Sequence, residues 1–431
     1  MKTLDTLQEP LAIAMWDSSW LRRRYRGGGF EDWDKALCEL IERGYNAVRL
    51  DVFPHLIAPS PAGELVEVFK DVPNQYPQFY GLAMWGNPWT MYIRPRQALV
   101  EFMTKCREYG VKVGLATWFK PTDDRRNEQI EGVREFIRVW DQTLEFIDAH
   151  GLMDTVVYLD LLNEYPEGHC LKWFHKILGT MTQPRATSGR LNTAQLAFVR
   201  DFIGESIDAL RAKWPTLSIA TSLTWKHLDE YFMQAEVPSL DFLADMDFLD
   251  VHIWITQNSD FCTGTDYHTT IAQHGNPHTL FTVERSGGAY AGLSERIIPA
   301  DYHYDEVYQK MRTRWREGKD QWTRWYAQTL GTLAGLARRY DCHLGQTEAW
   351  GPVNWADHPL LEWDIHREAA EIGVQLATGH GYLFDCSANF CHPHFLGFWE
   401  DPEWHQRITG MIRGGTPWKL RGQASFAGSR T

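Results

Sequence analysis

An α/β architecture, a (β/α)8 barrel, is what this sequence predicts, and three observations predict it. Short runs of apolar and β-branched residues alternate eight times with longer stretches of helical period. A length of 431 residues suits one such barrel with generous loops. Neither GxGxxG nor a P-loop follows any strand, which removes the support a doubly wound nucleotide-binding sheet would need. No composition shift marks an internal boundary, so residues 1–431 are expected to form one barrel domain.

The elements follow in order. Leu11–Met15 reads as the first strand, and helix Trp33–Arg43 stops at Gly44, a good C-terminal cap. Asn46–Phe53 is the second strand, with helix Arg96–Tyr109 behind it. Val111–Thr117 is the third, followed by helix Val133–His150, and Thr155–Leu162 is the fourth, followed by Thr193–Trp214. Leu217–Ser222 is the fifth, with a weaker helix near Leu228–Ala235. Phe248–Ile255 is the sixth and leads to one long helix, Tyr304–Tyr340. His343–Thr347 and helix Trp363–Ala377 come next, then Gly381–Asp385 and a short helix near Glu403–Ile412. Two connections are long: Pro54–Arg94 after strand 2 and Thr256–His303 after strand 6. Both leave the C-terminal ends of strands, where barrel active sites lie, and both are expected to wall the mouth. The first carries Phe69, Tyr76, Phe79, Tyr80, Trp85, Trp89 and Tyr92, most of which are expected to pack on one another, with one or two facing the mouth.

Composition narrows the function. Apolar residues at 44% and charged residues at 23% describe a soluble globular chain. No run of 18 apolar residues exists, which excludes a membrane-spanning helix. Lys+Arg 43 against Asp+Glu 56, a net charge of −13, argues against nucleic acid as a partner. Twenty tryptophans, about one in 22 residues, suit a site for flat apolar ligand faces. The N-terminus has no unbroken apolar core of a signal peptide, since Asp5 and Glu9 interrupt it. Seven scattered cysteines without CxxC spacing read as reduced thiols, and the expected location is cytoplasmic.

Two glutamates end two strands. In VVYLDLLNE, alternation places Tyr158, Asp160, Leu162 and Glu164 on one face, with Pro166 closing the run. In HLGQTEAWGP the same argument places Gln346 with Glu348. Strands 4 and 7 lie nearly opposite in an eight-stranded barrel. Two carboxylates meeting across the mouth are what glycoside hydrolysis needs, one to protonate the leaving oxygen and one to attack the anomeric carbon.

At these residues the sequence resembles a family. VYLDLLNEYP resembles the strand-4 Asn-Glu signature of clan A glycoside hydrolases, the cellulase and mannanase superfamily of TIM barrels. GQTEAWG is similar to its nucleophile segment, GYNAVRLDVF to the segment holding its strand-2 arginine, and DVHIW to the segment carrying an active-site histidine. The resemblance implies Glu164 as acid/base and Glu348 as nucleophile. It implies Asn163 on the sugar 2-hydroxyl, Arg49 holding Glu348 ionised, and His252 orienting the pair or the substrate. Trp254 stands where many members have Tyr, Trp118 where many have His, and Tyr382–Asn389 lacks the frequent platform Trp.

Trp16, Trp118, Trp254 and Trp350 fall at or just past strand ends and are expected to offer indole faces to a pyranose. Arg22-Arg23-Arg24-Tyr25-Arg26 could grip an anionic substrate group but reads better as a solvated loop. His392-Pro393-His394 and the set His268, His274, His278 and His303 match no known zinc spacing, so neither metal nor other cofactor is expected. The sequence thus points to a retaining glycosidase acting on a β-linked glycoside or short oligosaccharide. Two rivals stand beside it: a non-catalytic carbohydrate-binding barrel, and a metal-dependent barrel hydrolase or isomerase.

Overall fold

The computed structural model describes residues 1–71, 90–122, 124–178, 191–234, 240–265, 281–284, 294–297, 304–352 and 363–419. Eight strand positions build one curled, parallel sheet: β1 Leu11–Met15, β2 Ala47–Asp51, β3 Lys112–Ala116, β4 Val156–Asp160, β5 Ile219–Ala220, β6 Phe248–Trp254, β7 His343–Gln346 and β8 Phe384–Cys386. Each pairs with the next, as in Ile13↔Ala47, Ala47↔Lys112 and Leu159↔Ile219. Two strands are interrupted. β5 resumes at Leu223–Thr224, and that second piece, not the first, is the one paired with β6 through Thr224↔His252. β7 resumes at Ala349–Trp350, again beside β6. β8 pairs with β1 through Leu11↔Phe384, so the ring of pairings closes.

The barrel interior is filled, not open. Tyr158 of β4, Phe248 of β6 and Phe384 of β8 pack with ring centroids 5.1, 5.2 and 5.6 Å apart. They come from alternate strands, the layering expected of this fold. Glycine makes room for them: a Cβ on Gly114 would lie 2.1 Å from the Tyr158 ring, and one on Gly345 would lie 1.8 Å from Phe384. Chemistry is therefore confined to the C-terminal mouth above this plug.

Outside, the helices α1 Trp33–Glu42, α2 Pro95–Glu108, α3 Val133–Ala149, α4 Thr193–Lys213, α5 Tyr304–Glu317, α6 Lys319–Arg339, α7 Asp364–His380 and α8 Pro402–Arg413 cover the strands. Their starts are written locally. Asp32 caps α1 by accepting from the Asp34 and Lys35 amides, and Asn192 with Gln195 forms a capping box on α4. α3 buries Phe136, Val139, Trp140, Thr143, Leu144 and Ile147, a stripe at helical spacing facing the barrel. The single long helix expected over Tyr304–Tyr340 is instead α5 and α6, broken at Gly318. There the backbone approaches the Trp322 ring so closely that a Cβ would meet it at 2.6 Å. Behind β5 the expected helix is a short turn, Trp225–His227, running into a π-helical turn, Leu228–Met233.

Of the first long connection, Pro54–Ile57 forms a short helix and Phe69–Asp71 pairs with Met91–Ile93 as a hairpin. Asp71 accepts from Arg22 Nε at 2.9 Å and Nη2 at 2.6 Å, both partners buried, which fastens the hairpin to the turn after β1. That bond and an exposed Arg24–Glu101 pair occupy two of the arginines that sequence offered for an anionic ligand. Phe69 is buried against Phe53, whereas Tyr92 is exposed. Tyr76, Phe79, Tyr80, Trp85 and Trp89 lie outside the described residues, as do His268, His274, His278 and His303. No helix among the described residues is long and apolar enough to cross a membrane.

Candidate active site

The mouth is organised around one arginine. Arg49, at the end of β2, has no solvent exposure. Its Nη1 lies 3.0 Å from Glu348 Oε1, 2.9 Å from Thr347 Oγ1 and 3.2 Å from His252 Nε2. Its Nη2 donates to Asn163 Oδ1, and its Nε lies 3.3 Å from Asp17 Oδ1. Burial alone would disfavour the guanidinium charge, but Asp17 and Glu348 outweigh it and hold the proton far beyond the usual range. A fixed cation thus sits directly behind Glu348.

Glu348 is 3% exposed and is held from two further sides. Asn389, after β8, donates from Nδ2 to Glu348 Oε2 at 3.2 Å, while its Oδ1 accepts from the Ala349 amide at 2.8 Å. His252 Nδ1 lies 3.5 Å from Glu348 Oε1 and 3.1 Å from Glu164 Oε1, so the imidazole touches both carboxylates. Burial lowers the affinity of His252 for a second proton, against the pull of Glu348, so the ring is held toward its neutral form. Asp250, also on β6, accepts from the Thr347 amide at 3.0 Å and its hydroxyl at 2.6 Å, fixing the residue beside Glu348.

Glu164 is set differently. Its side chain is 26% exposed, and its φ is +48°, a left-handed conformation that costs a non-glycine residue roughly 1–3 kcal/mol. Strict alternation, the reason sequence gave for its direction, does not apply: β4 ends at Asp160, and both Asn163 and Glu164 reach the site through the turn that follows. The same holds for Thr347, which alternation would send away from the mouth. It meets Arg49, His252 and Asp250 because β7 is interrupted there.

The tryptophans divide. Trp118 lies beneath two cations, Arg49 at 5.1 Å and Lys120 at 4.4 Å from its ring centre. Trp254 is 3% exposed and two residues beyond His252 on β6. Trp16 and Trp350 do not present ligand faces as expected. Both are fully buried in the wall, their indole N–H groups donating to Cys391 O at 2.8 Å and Cys386 O at 3.0 Å. Trp350 is pressed against Gly373, where a Cβ would lie 2.2 Å from the ring.

Among the described residues, one ligand atom each from Glu164, His252 and Glu348 falls within 4.8 Å of the others, the spacing of a metal site. Arg49, 3.0 Å from Glu348, sets a permanent positive charge against any cation there. His392 is packed away, with Nδ1 on Ser19 Oγ at 3.2 Å.

Residues 13–413 match the family model described as sugar-binding cellulase-like. The chain belongs to the cellulase-like family. Among solved structures, this cellulase-like chain is 29% identical to a protein of Parabacteroides distasonis ATCC 8503 described, provisionally, as a glycoside hydrolase. The alignment covers 96% of each chain with a TM-score of 0.75. The likeness reaches, more faintly, to the endo-beta-1,4-mannanase of Thermotoga petrophila (11% identity, 95% of this chain and 78% of that one, TM-score 0.46). It also reaches the endocellulase of Pyrococcus horikoshii (12%, 93% and 92%, TM-score 0.45). No curated protein matches the chain.

Three contributors to this cellulase-like site escaped the sequence reading: Asp17, Thr347 and Asn389. Thr347 adjoins a named glutamate and Asn389 follows β8 by three residues, but neither position by itself signals a contact to Glu348 or Arg49.

Proposed function

We propose that the chain is a retaining β-glycosidase, with Glu164 as acid/base and Glu348 as nucleophile. The observation that carries the proposal is the separation of the two carboxylates, whose nearest oxygens fall within 4.8 Å. A double displacement uses carboxyl groups about 5–5.5 Å apart, whereas inversion needs about 6.5–9.5 Å to admit a water. Arg49 and Asn389 hold the Glu348 carboxyl oxygens in place for attack, and the more open Glu164 is placed to exchange a proton with the leaving group and then with water. Asn163, its Oδ1 engaged by Arg49, keeps Nδ2 without a hydrogen-bond partner among the described residues, a donor suited to a sugar 2-hydroxyl. Trp118 and Trp254 are the indoles proposed for the sugar ring.

The substrate proposed is a small β-linked glycoside or oligosaccharide, bound at the mouth of a single barrel domain. The unpaired state of all seven cysteines supports a reducing, cytoplasmic setting. The test is stereochemical: the anomeric proton of the first-formed product, followed by NMR, is expected in the β configuration. Initial release of the α anomer would assign inversion and remove the nucleophile role from Glu348.

A further inference from the structure

The left-handed turn that delivers Glu164 has a dedicated support on the neighbouring strand. Ser222 lies in the break of β5, fully buried. Its Oγ accepts from the Glu164 amide at 3.0 Å, and its carbonyl accepts from the Tyr165 amide at 2.8 Å. The hydroxyl proton is spoken for: Ser222 Oγ donates to Asp160 Oδ2 at 2.8 Å, and the Ser222 amide donates to Asp160 Oδ1 at 2.8 Å. A hydroxyl has one proton and two lone pairs, so this commitment to Asp160 turns the lone pairs toward Glu164. On the far side of the turn, Gly168 donates its amide to Glu164 O at 2.8 Å, and a Cβ on Gly168 would collide with Glu164 Cβ at 2.4 Å. Glu164 is thereby clamped at both its N–H and its C=O.

We propose that Ser222, anchored by Asp160, is the positioning residue for Glu164, fixing where its carboxyl stands without touching substrate. The break in β5 follows from this duty: Ile219–Ala220 serves β4, Leu223–Thr224 serves β6, and Ser222, in the two-residue gap between them, serves the catalytic turn. The inference rests on Glu164 being the acid/base.

A misplaced acid leaves a kinetic signature that a general packing defect does not. Protonation matters for a poor leaving group and little for an activated one. The full chain and its Ser222→Ala, Ser222→Thr, Asp160→Asn and Glu164→Gln variants are compared on phenyl and 2,4-dinitrophenyl β-D-glucosides, β-D-mannosides and β-D-cellobiosides, with Tm measured alongside. Ser222→Ala is expected to lose about 10- to 100-fold in kcat/KM on the phenyl substrates and less than about threefold in kcat/KM on the dinitrophenyl ones, where kcat reports the second, water-consuming step instead. Ser222→Thr, which restores the hydroxyl, is expected to recover most of the loss. Asp160→Asn, which keeps the serine but reverses its hydrogen-bond polarity, is expected to show a weaker form of the same pattern. It also decides the matter if the alanine variant does not fold. Equal losses on both leaving groups, or no loss, in folded Ser222→Ala overturn the proposal while Glu164→Gln still discriminates. If Glu164→Gln itself does not discriminate, the acid/base assignment falls and the proposal with it.

Discussion

Glu164 and Glu348 are the same side chain in two very different settings. Glu348 is nearly sealed, with Arg49 at 3.0 Å and Asn389 at 3.2 Å, and it lies in the break of β7, which is pinned through Thr347 to Asp250. Glu164 is a quarter exposed, stands on a left-handed turn, and is held by its backbone through Ser222 and Gly168. One glutamate is gripped at its carboxylate by Arg49 and Asn389; the other is gripped at its main chain, meets His252 at 3.1 Å and keeps access to water. On the proposed assignment, the difference teaches how a barrel gives two jobs to identical chemistry. A nucleophile needs a fixed, charge-compensated oxygen, while a residue that exchanges protons must stay reachable.

The sharpest way to break the comparison is Glu348→Gln. Turnover is expected to fall on the order of 10⁴-fold or more on every leaving group, because an amide cannot form the covalent intermediate. Steady-state assays on phenyl and dinitrophenyl glycosides check this, and equal residual activity in Glu348→Gln and Glu164→Gln would erase the distinction. Glu164→Gln itself should cost about 10²–10⁴-fold in kcat/KM on poor leaving groups and little in kcat/KM on activated ones. Next comes Arg49→Lys. The lysine keeps the charge but loses the fork that joins Glu348, Thr347, Asn163 and Asp17, so kcat/KM is expected to drop about 10²-fold with Tm also lowered. A variant matching wild type would show that charge alone, not the fork, serves Glu348.

The smallest effect concerns the support of Glu164. Burial, opposed by Arg49 and Ser222, raises Asp160 from 3.8 to about 7. The folded state then binds a proton that the unfolded state has released, so between about pH 4 and 7 this group makes stability fall as pH rises. Asn cannot titrate. The stability of Asp160→Asn relative to wild type should therefore climb across that window, by up to about 4 kcal/mol, and level off above pH 7. Denaturant melts at pH 4.5, 6 and 7.5 measure it, and a pH-independent difference would mean that Asp160 stays ionised throughout.

Much of this was legible in the sequence, for reasons that separate cleanly. β1 was read with its true limits, because Pro10 opens the apolar run and Trp16-Asp17 closes it, which leaves little choice. Both glutamates were found through their strand-end positions, yet the alternation argument behind them failed, since both strands break before the glutamate. Period two holds only while the ladder continues. What sequence could not show was convergence. Asp17, Thr347 and Asn389 meet Arg49 or Glu348 from just past the ends of β1, β7 and β8, and no local pattern encodes a contact between residues tens to hundreds of positions apart. Trp16 and Trp350 mark the converse error: the same strand-end position serves the wall as readily as the pocket, and only packing decides.

The Arg22–Asp71 fastening has a consequence of another kind. Its partners are 3% and 2% exposed, so dissolved ions cannot interpose between them, and the attachment of the hairpin to the turn after β1 is insulated from ionic strength. Surface pairs such as Arg24–Glu101 nearby loosen as electrolyte rises; this one does not. The insulation also constrains inheritance. Loss of either partner alone strands a buried charge, at about 3–5 kcal/mol, whereas an apolar pair of matching volume is tolerated. Across related chains, positions 22 and 71 are thus expected to change as a couple, a single mutational unit spread over two distant turns of the chain.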